Sequence, residues 1–228
     1  MKTTLFITLA ALFLLSGCKK EVALDTKQIH ETDKNTKWEI DITHPTFSTT
    51  ETSIEGSCTV FNDEISALVN GIKAAFVEQA KETIALLDSA KIQQVAPYQL
   101  LIQDTVFQAN ENYISVRLTS YEYIGGAHGI TNFYALNYDI KTQKFLDKKQ
   151  ILDYTKAADI NALLKTHLQD PDSCFSFETP TVENFTTVNL SLHSLEFTYA
   201  QYILGPYSCG YTTISIPRTK MEGLLLLK

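Results

Sequence analysis

Glycine and proline are scarce in this chain, nine and six among 228 residues. That composition excludes collagen-like and other low-complexity architectures and leaves room for long regular elements. Basic residues are outnumbered, 19 Lys and Arg against 26 Asp and Glu, for a formal net charge of -7. The chain lacks the basic field that nucleic acid or anionic lipid head groups select, so no nucleic-acid partner is expected. The apolar runs Leu5 to Leu15 and Leu224 to Leu227 are too short for a membrane-spanning helix. Catalytic signatures are missing as well. There is no Gly-x-Ser-x-Gly elbow and no P-loop, and His30, His44, His128, His167 and His193 form no His-x-His or His-x-x-x-His pair. No metal centre, cofactor or catalytic constellation is indicated, and a non-enzyme is expected.

Present instead is a processing signal. Lys2, the apolar run from Leu5 to Leu15, and Leu15-Ser16-Gly17-Cys18 read as a signal peptide over residues 1–18. Leu-Ser-Gly-Cys resembles the bacterial lipobox, in which the cysteine is lipidated, so Cys18 is the expected lipidation site. Lys19 follows where aspartate would retain a lipoprotein at the inner membrane in enteric sorting, which points to an outer-membrane envelope lipoprotein. Residues 19–37 are polar, have no apolar period, and read as a flexible tether. Cys58, Cys174 and Cys209 remain for an oxidising compartment, an odd number that permits at most one intramolecular disulfide. Cys174 with Cys209 is one solution and three small buried thiols the other.

Trp38 to Phe47 alternates as a strand, and residues 49–58 read as a loop or weak strand. Asn62 stands where an N-cap should, before apolar positions Ile65, Leu68, Val69, Ile72, Phe76, Ile84 and Leu87, which predicts a long helix to Ser89. Gly71 inside it is either a modest cost or a close-packing point. From Tyr98 the period changes to two. Strands are predicted at Tyr98–Gln108, Tyr113–Ile124 and Thr131–Ile140, then a second helix at Thr155–Gln169. Strands at Asn184–Leu190, Ser194–Gln201 and Tyr211–Ile216 follow, and Pro217 opens a terminal helix through Leu227. The expected class is α+β, a mainly antiparallel sheet with one long N-terminal helix, a second central helix and a short C-terminal helix.

The densest local signal is Tyr121-Glu122-Tyr123-Ile124-Gly125-Gly126-Ala127-His128-Gly129-Ile130, with three of the nine glycines inside five residues. Such a stretch needs positive φ or close approach of another group. Its amides could hold an oxyanion or a sugar hydroxyl with His128 donating alongside, or His128 could pin a sharp chain reversal. Tyr121 and Tyr123 share a strand face, as a stacking platform or as hairpin packing, and Tyr207 in a second glycine-bounded loop has the same ambiguity. The candidate ligand-binding set is therefore Tyr121, Tyr123, Gly125, Gly126, His128, Gly129 and Tyr207, with no catalytic or metal residue assigned. The alternative is a hydrolase that pairs His128 with a nearby carboxylate such as Glu122.

Tyr123-Ile124-Gly125-Gly126-Ala127-His128-Gly129, then Asn137 to Lys144, Tyr202 to Gly210, and Ile216-Pro217 resemble two adjoining extracytoplasmic domains. These are the PdaC-like domain (DUF4163) and the RsiV-like domain (DUF3298), placed on this chain at residues 38–129 and 130–228 and packed as one unit. Gln143 departs from the glycine usual in that turn. In one branch the resemblance implies the outer part of an anti-sigma factor that binds lysozyme. In another it implies a partner of a peptidoglycan deacetylase domain, whose Asp-Asp and His-x-x-x-His metal motif has no match here. The expectation is a non-enzymatic envelope lipoprotein binding lysozyme-like protein or peptidoglycan glycan, or else a structural subunit of an envelope complex.

Overall fold

The computed structural model describes residues 22–227; residues 1–18, with the signal peptide and Cys18, lie outside it. Among the described residues the fold is α+β, with nine strands in two sheets. The first sheet has the order β1-β2-β3-β4-β5-β6. Its strands are β1 (Asp25–Lys34), β2 (Trp38–Ser48), β3 (Tyr98–Ala109), β4 (Tyr113–Tyr123), β5 (Ile130–Asp139) and β6 (Lys144–Phe145). All neighbours are antiparallel except β2 and β3, which run parallel from Trp38↔Tyr98 to Ile42↔Ile102. A parallel pair needs a crossover, and α1 (Glu55–Ser89) supplies it.

α1 spans 35 residues, about 52 Å at the usual rise. Cys58, Phe61, Ile65, Val69, Ile72, Phe76 and Ala80 recur at three- and four-residue spacing and are buried against the sheet. The helix starts seven residues earlier than the expected Asn62 cap, at Glu55, with no side-chain cap. Asn62 uses its amide elsewhere. Its Oδ1 accepts from Phe47 N and its Nδ2 donates to Phe47 O, both at 2.8 Å, tying helix to β2.

The expected tether over 19–37 is corrected in its greater part, because residues 25–34 form β1. Ten residue pairs join it to β2, from Asp25↔Ser48 to Lys34↔Glu39. An edge strand exposed along nearly all its length needs no apolar alternation, so backbone hydrogen bonds hold a polar sequence there, helped by side-chain contacts of Gln28 with Asp104, His30 with Asp41 and Glu31 with Lys73. Leu24 just before it is buried, and its amide donates to the Ala109 carbonyl.

The second sheet is β7 (Thr187–Leu190), β8 (Ser194–Tyr199) and β9 (Thr212–Pro217), antiparallel throughout. Before it come a one-turn helix α2 (Lys148–Ile151), a 3-10 turn at Tyr154–Lys156, and α3 (Ala157–His167). Asp147 and Gln150 form a capping box on α2. β7 begins at Thr187, three residues later than expected, because Asn184 closes a turn by accepting from Thr181 N. The C-terminal helix is a 3-10 turn, Arg218–Lys220. It does not continue to Leu227, since Gly223 takes φ +74° and Leu225 bridges back to Leu152.

Two apolar cores result. One lies between α1 and the first sheet and holds Phe61, Ile65, Phe76, Leu100, Val116 and Tyr138. The other lies between α3 and the second sheet and holds Ile160, Leu164, Leu190, Phe197 and Ile214. In chain order the two cores part after Phe145. Alternation on β4 sends Ile114, Val116 and Leu118 to the α1 side and Ser115 and Arg117 to the second sheet. A buried polar seam joins the two. Ser115 Oγ donates to Asn137 Oδ1 at 2.7 Å, Asn137 Nδ2 to Val188 O at 2.8 Å, and Asn189 Nδ2 to Val116 O at 3.0 Å. Arg117 donates to Thr198 and Thr213 hydroxyls at 2.7 and 3.1 Å.

Candidate functional site

The glycine corner is the loop between β4 and β5, and its three glycines answer to two different constraints. Gly125 and Gly126 take φ +85° and +92°, a region that costs any side-chain-bearing residue. Gly129 is required by contact. A Cβ there would meet Tyr121 Cζ at 2.5 Å and the Glu122 carbonyl oxygen at 2.6 Å. Tyr121 therefore lies over Gly129, and Tyr123 donates its hydroxyl to Gly126 O at 3.2 Å. Both tyrosines hold the corner in shape.

His128 is exposed on the corner's outer side. Its Nδ1 lies 3.0 Å from Gly129 O, and since a carbonyl can only accept, Nδ1 carries the proton. Neutral His128 then presents a bare Nε2, 3.2 Å from the Tyr202 hydroxyl, which donates to it. The imidazole stacks on Tyr207 with centroids 3.8 Å apart and planes 19° apart. Tyr202 and Tyr207 lie 5.7 Å apart. Three rings from two loops thus form one cluster.

The second loop is built to hold its two tyrosines. A Cys174–Cys209 disulfide anchors it, with Cα atoms 5.8 Å apart, while Cys58 is a buried thiol. Of the two cysteine solutions open in the sequence, the structure forms the first. Gly205 lies so close to Cys174 O that a Cβ would stand 2.5 Å away. Tyr202 takes φ +68°, unusual for an aromatic residue, and remains 55% exposed. A positive φ at an aromatic residue carries a structural cost, and the ring it presents here meets His128.

The structure brings His128 and Tyr207 together and adds Tyr202, which was not among the expected site residues. Its signal was positional: it stands three residues before Gly205, which opens the second glycine-bounded loop. The Glu122 partnership is corrected. Glu122 alternates to the α1 side, where its Oε1 accepts from Ser120 Oγ at 2.9 Å and Asn132 Nδ2 at 3.4 Å. Among the described residues no group of three His, Cys, Asp or Glu side chains could hold a metal ion.

Gly125 and Gly126 also border an open cleft of about 470 Å³, lined by Tyr98, Tyr123 and Ile124 and by Leu87, Ile92 and Val95. Ile92 and Val95 are 56% and 100% exposed. Burial and the neighbouring Tyr123 push the Tyr98 hydroxyl above its ordinary pKa, so it stays a neutral donor at the cleft wall. The corner therefore separates an apolar cleft from an exposed ring cluster.

Comparison with known proteins matches two family models, one described as deacetylase PdaC over residues 31–131 and one as a protein of unknown function, DUF3298, over residues 137–219. A crystal structure of a DUF3298-family member from Bacteroides fragilis is similar with TM-score 0.65 and 18% identity, covering 90% of this chain and 95% of that one. A DUF3298-family protein from Pseudomonas aeruginosa gives TM-score 0.55 and 19% identity, covering 89% and 94%. No curated protein matches. At those identities the structural likeness concerns the fold, while the two family matches show that the chain carries a PdaC domain followed by a DUF3298 domain.

Proposed function

We propose that this chain is a non-enzymatic cell-envelope protein, lipid-anchored through Cys18 at the outer membrane, that binds lysozyme-like protein or peptidoglycan glycan at the glycine corner. The observation that carries this reading is the His128, Tyr202 and Tyr207 cluster. Three rings from two glycine-shaped loops converge on an exposed surface, with Tyr202 in a strained backbone conformation. Aromatic rings give large contact area at low entropic cost, and stack on sugar faces or fill a partner's groove. Formal charge of -7 favours a basic protein over an anionic wall polymer.

Titration calorimetry with lysozyme and, separately, with muropeptides tests the proposal. Binding of one of them is expected, weakened by roughly thirtyfold or more in Tyr207→Ala or Tyr202→Ala while the thermal melt stays close to wild type. Absence of heat with both ligands would sink the reading. So would turnover of muropeptides that disappears in His128→Ala.

A further inference from the structure

At the opposite end of β4 the sheet borders a second cavity, of about 600 Å³. Tyr113 lines it, ten residues before Tyr123, about 33 Å along a strand, so this cavity is separate from the ring cluster. Leu146, Leu192, Leu226 and Leu227 line its apolar part, and Leu192 and Leu226 are about half exposed, at 47% and 52%. Arg218 reaches in from the end of β9. Its Nε donates to Ser191 O at 2.8 Å and a terminal nitrogen to Gln108 Oε1 at 3.4 Å.

Both acceptors are neutral, so among the described residues the half-buried guanidinium has no carboxylate in hydrogen-bond contact. The ionisable group beside it is the Tyr113 phenol. Lys141 and Lys144 line the rim, are exposed, and make no ion pair among the described residues. Asp139 is the one carboxylate among the described lining residues, and its Oδ1 is taken by the amides of Lys141 and Thr142 at 2.9 and 3.1 Å. Three cations against one engaged carboxylate make this a positive cavity in a chain of formal charge -7. Its volume falls in the range of small-ligand sites.

We infer that this cavity binds a small amphiphilic anion, a carboxylate or phosphate head on a medium-length alkyl body. The head is held by Arg218 through charge-assisted hydrogen bonds, with Lys141 and Lys144 adding attraction from the rim. The alkyl body lies on the leucines and removes them from water. A neutral alkyl alcohol lacks the head that Arg218 needs, and a short anion lacks the body.

Titration calorimetry on the full chain with decanoate, decyl phosphate, decanol and acetate, each below its micellar concentration, tests this. At least one of the two long anions is expected to bind, with decanol and acetate weaker by about tenfold or more. Whichever anion binds more tightly assigns the head as carboxylate or phosphate. Arg218→Met should abolish binding, and Lys141→Gln with Lys144→Gln should weaken it severalfold and flatten its salt dependence. If Arg218→Met fails to fold, the lysine pair decides, since both side chains are exposed. Silence with both long anions, equal binding of decanol, or unchanged affinity and salt dependence in the lysine variant overturns the inference. A short peptide with a leucine carboxy terminus that binds when both long anions do not would also overturn it.

Discussion

At position 129 a methyl group has nowhere to go. The obstructing atoms are the Tyr121 ring and the Glu122 carbonyl oxygen, and the carbonyl belongs to a strand that cannot step aside. Gly129→Ala is therefore expected to lose about 1–3 kcal/mol in urea unfolding, the usual cost of overpacking. A stability equal to wild type would show that the corner is slack. Gly126 has open space around its Cβ position and is held by φ alone, so its alanine variant should lose less. Asp104 is a different kind of local cost. Burial pushes its carboxyl above the ordinary value, opposed first by the Gln28 amide, which donates to Oδ2 at 3.3 Å. A carboxyl whose folded pKa is raised helps the fold while protonated, and that help is lost as pH rises through the folded value. Asp104→Asn should accordingly melt higher than wild type near neutral pH, with the difference closing at about pH 3, below the ordinary carboxylate range. A difference that stays constant across that interval would assign the effect to something other than ionisation.

Among the elements, α1 carries two glycines, Gly56 and Gly71, that neither a contact nor a positive φ requires. Gly71 is exposed and helical, and a Cβ there meets nothing within 4 Å. Close packing is thereby removed as its explanation, and Gly71→Ala is expected to stabilise by about 0.5–1 kcal/mol through helix propensity and lost unfolded-state freedom. Thermal unfolding by circular dichroism checks this, and a lowered midpoint would mean that the bare backbone serves some contact. Element type was legible wherever an apolar period met a core, as along Ile65, Val69, Ile72 and Phe76 or on β3 and β4. Where an element is held by backbone bonds and scattered polar contacts, as in β1, no apolar period exists to read. Asn62 misled because an amide side chain that caps a helix can equally clasp a neighbouring strand, as it does at Phe47. For the candidate site, glycine spacing located the corner, but local sequence cannot show that a residue 74 positions away, Tyr202, closes on His128.

At the scale of the whole molecule, the question is whether two cores behave as one. The first sheet presents Ser115, Arg117 and Asn137 to the second, and nearly every bond across the seam is buried. Arg117 also lies 5.4, 5.6 and 5.8 Å from the ring centroids of Phe107, Phe133 and Tyr211. Burial lowers its pKa from the ordinary arginine value, yet a guanidinium stays charged, so its desolvation is offset by the two threonine hydroxyls, the ring faces and the Glu196 charge on β8. Parting the sheets gives up the Arg117 and Val188 hydrogen bonds to water, a net loss of about 0.5–1.5 kcal/mol each, and re-exposes the apolar contacts around them. The penalty couples the halves, and the wild type should unfold in a single transition. Trp38, the one tryptophan, sits on β2 beside the first core and reports that half alone. In wild type its fluorescence midpoint should coincide with far-UV circular dichroism, which follows both sheets. Combining Arg117→Leu with Asn137→Ala takes the charge and the central amide out of the seam but leaves both cores intact. The two midpoints should then separate. Coincident midpoints in that double variant would mean that apolar contact, with the β5-to-β7 connection, couples the sheets without help from the polar seam.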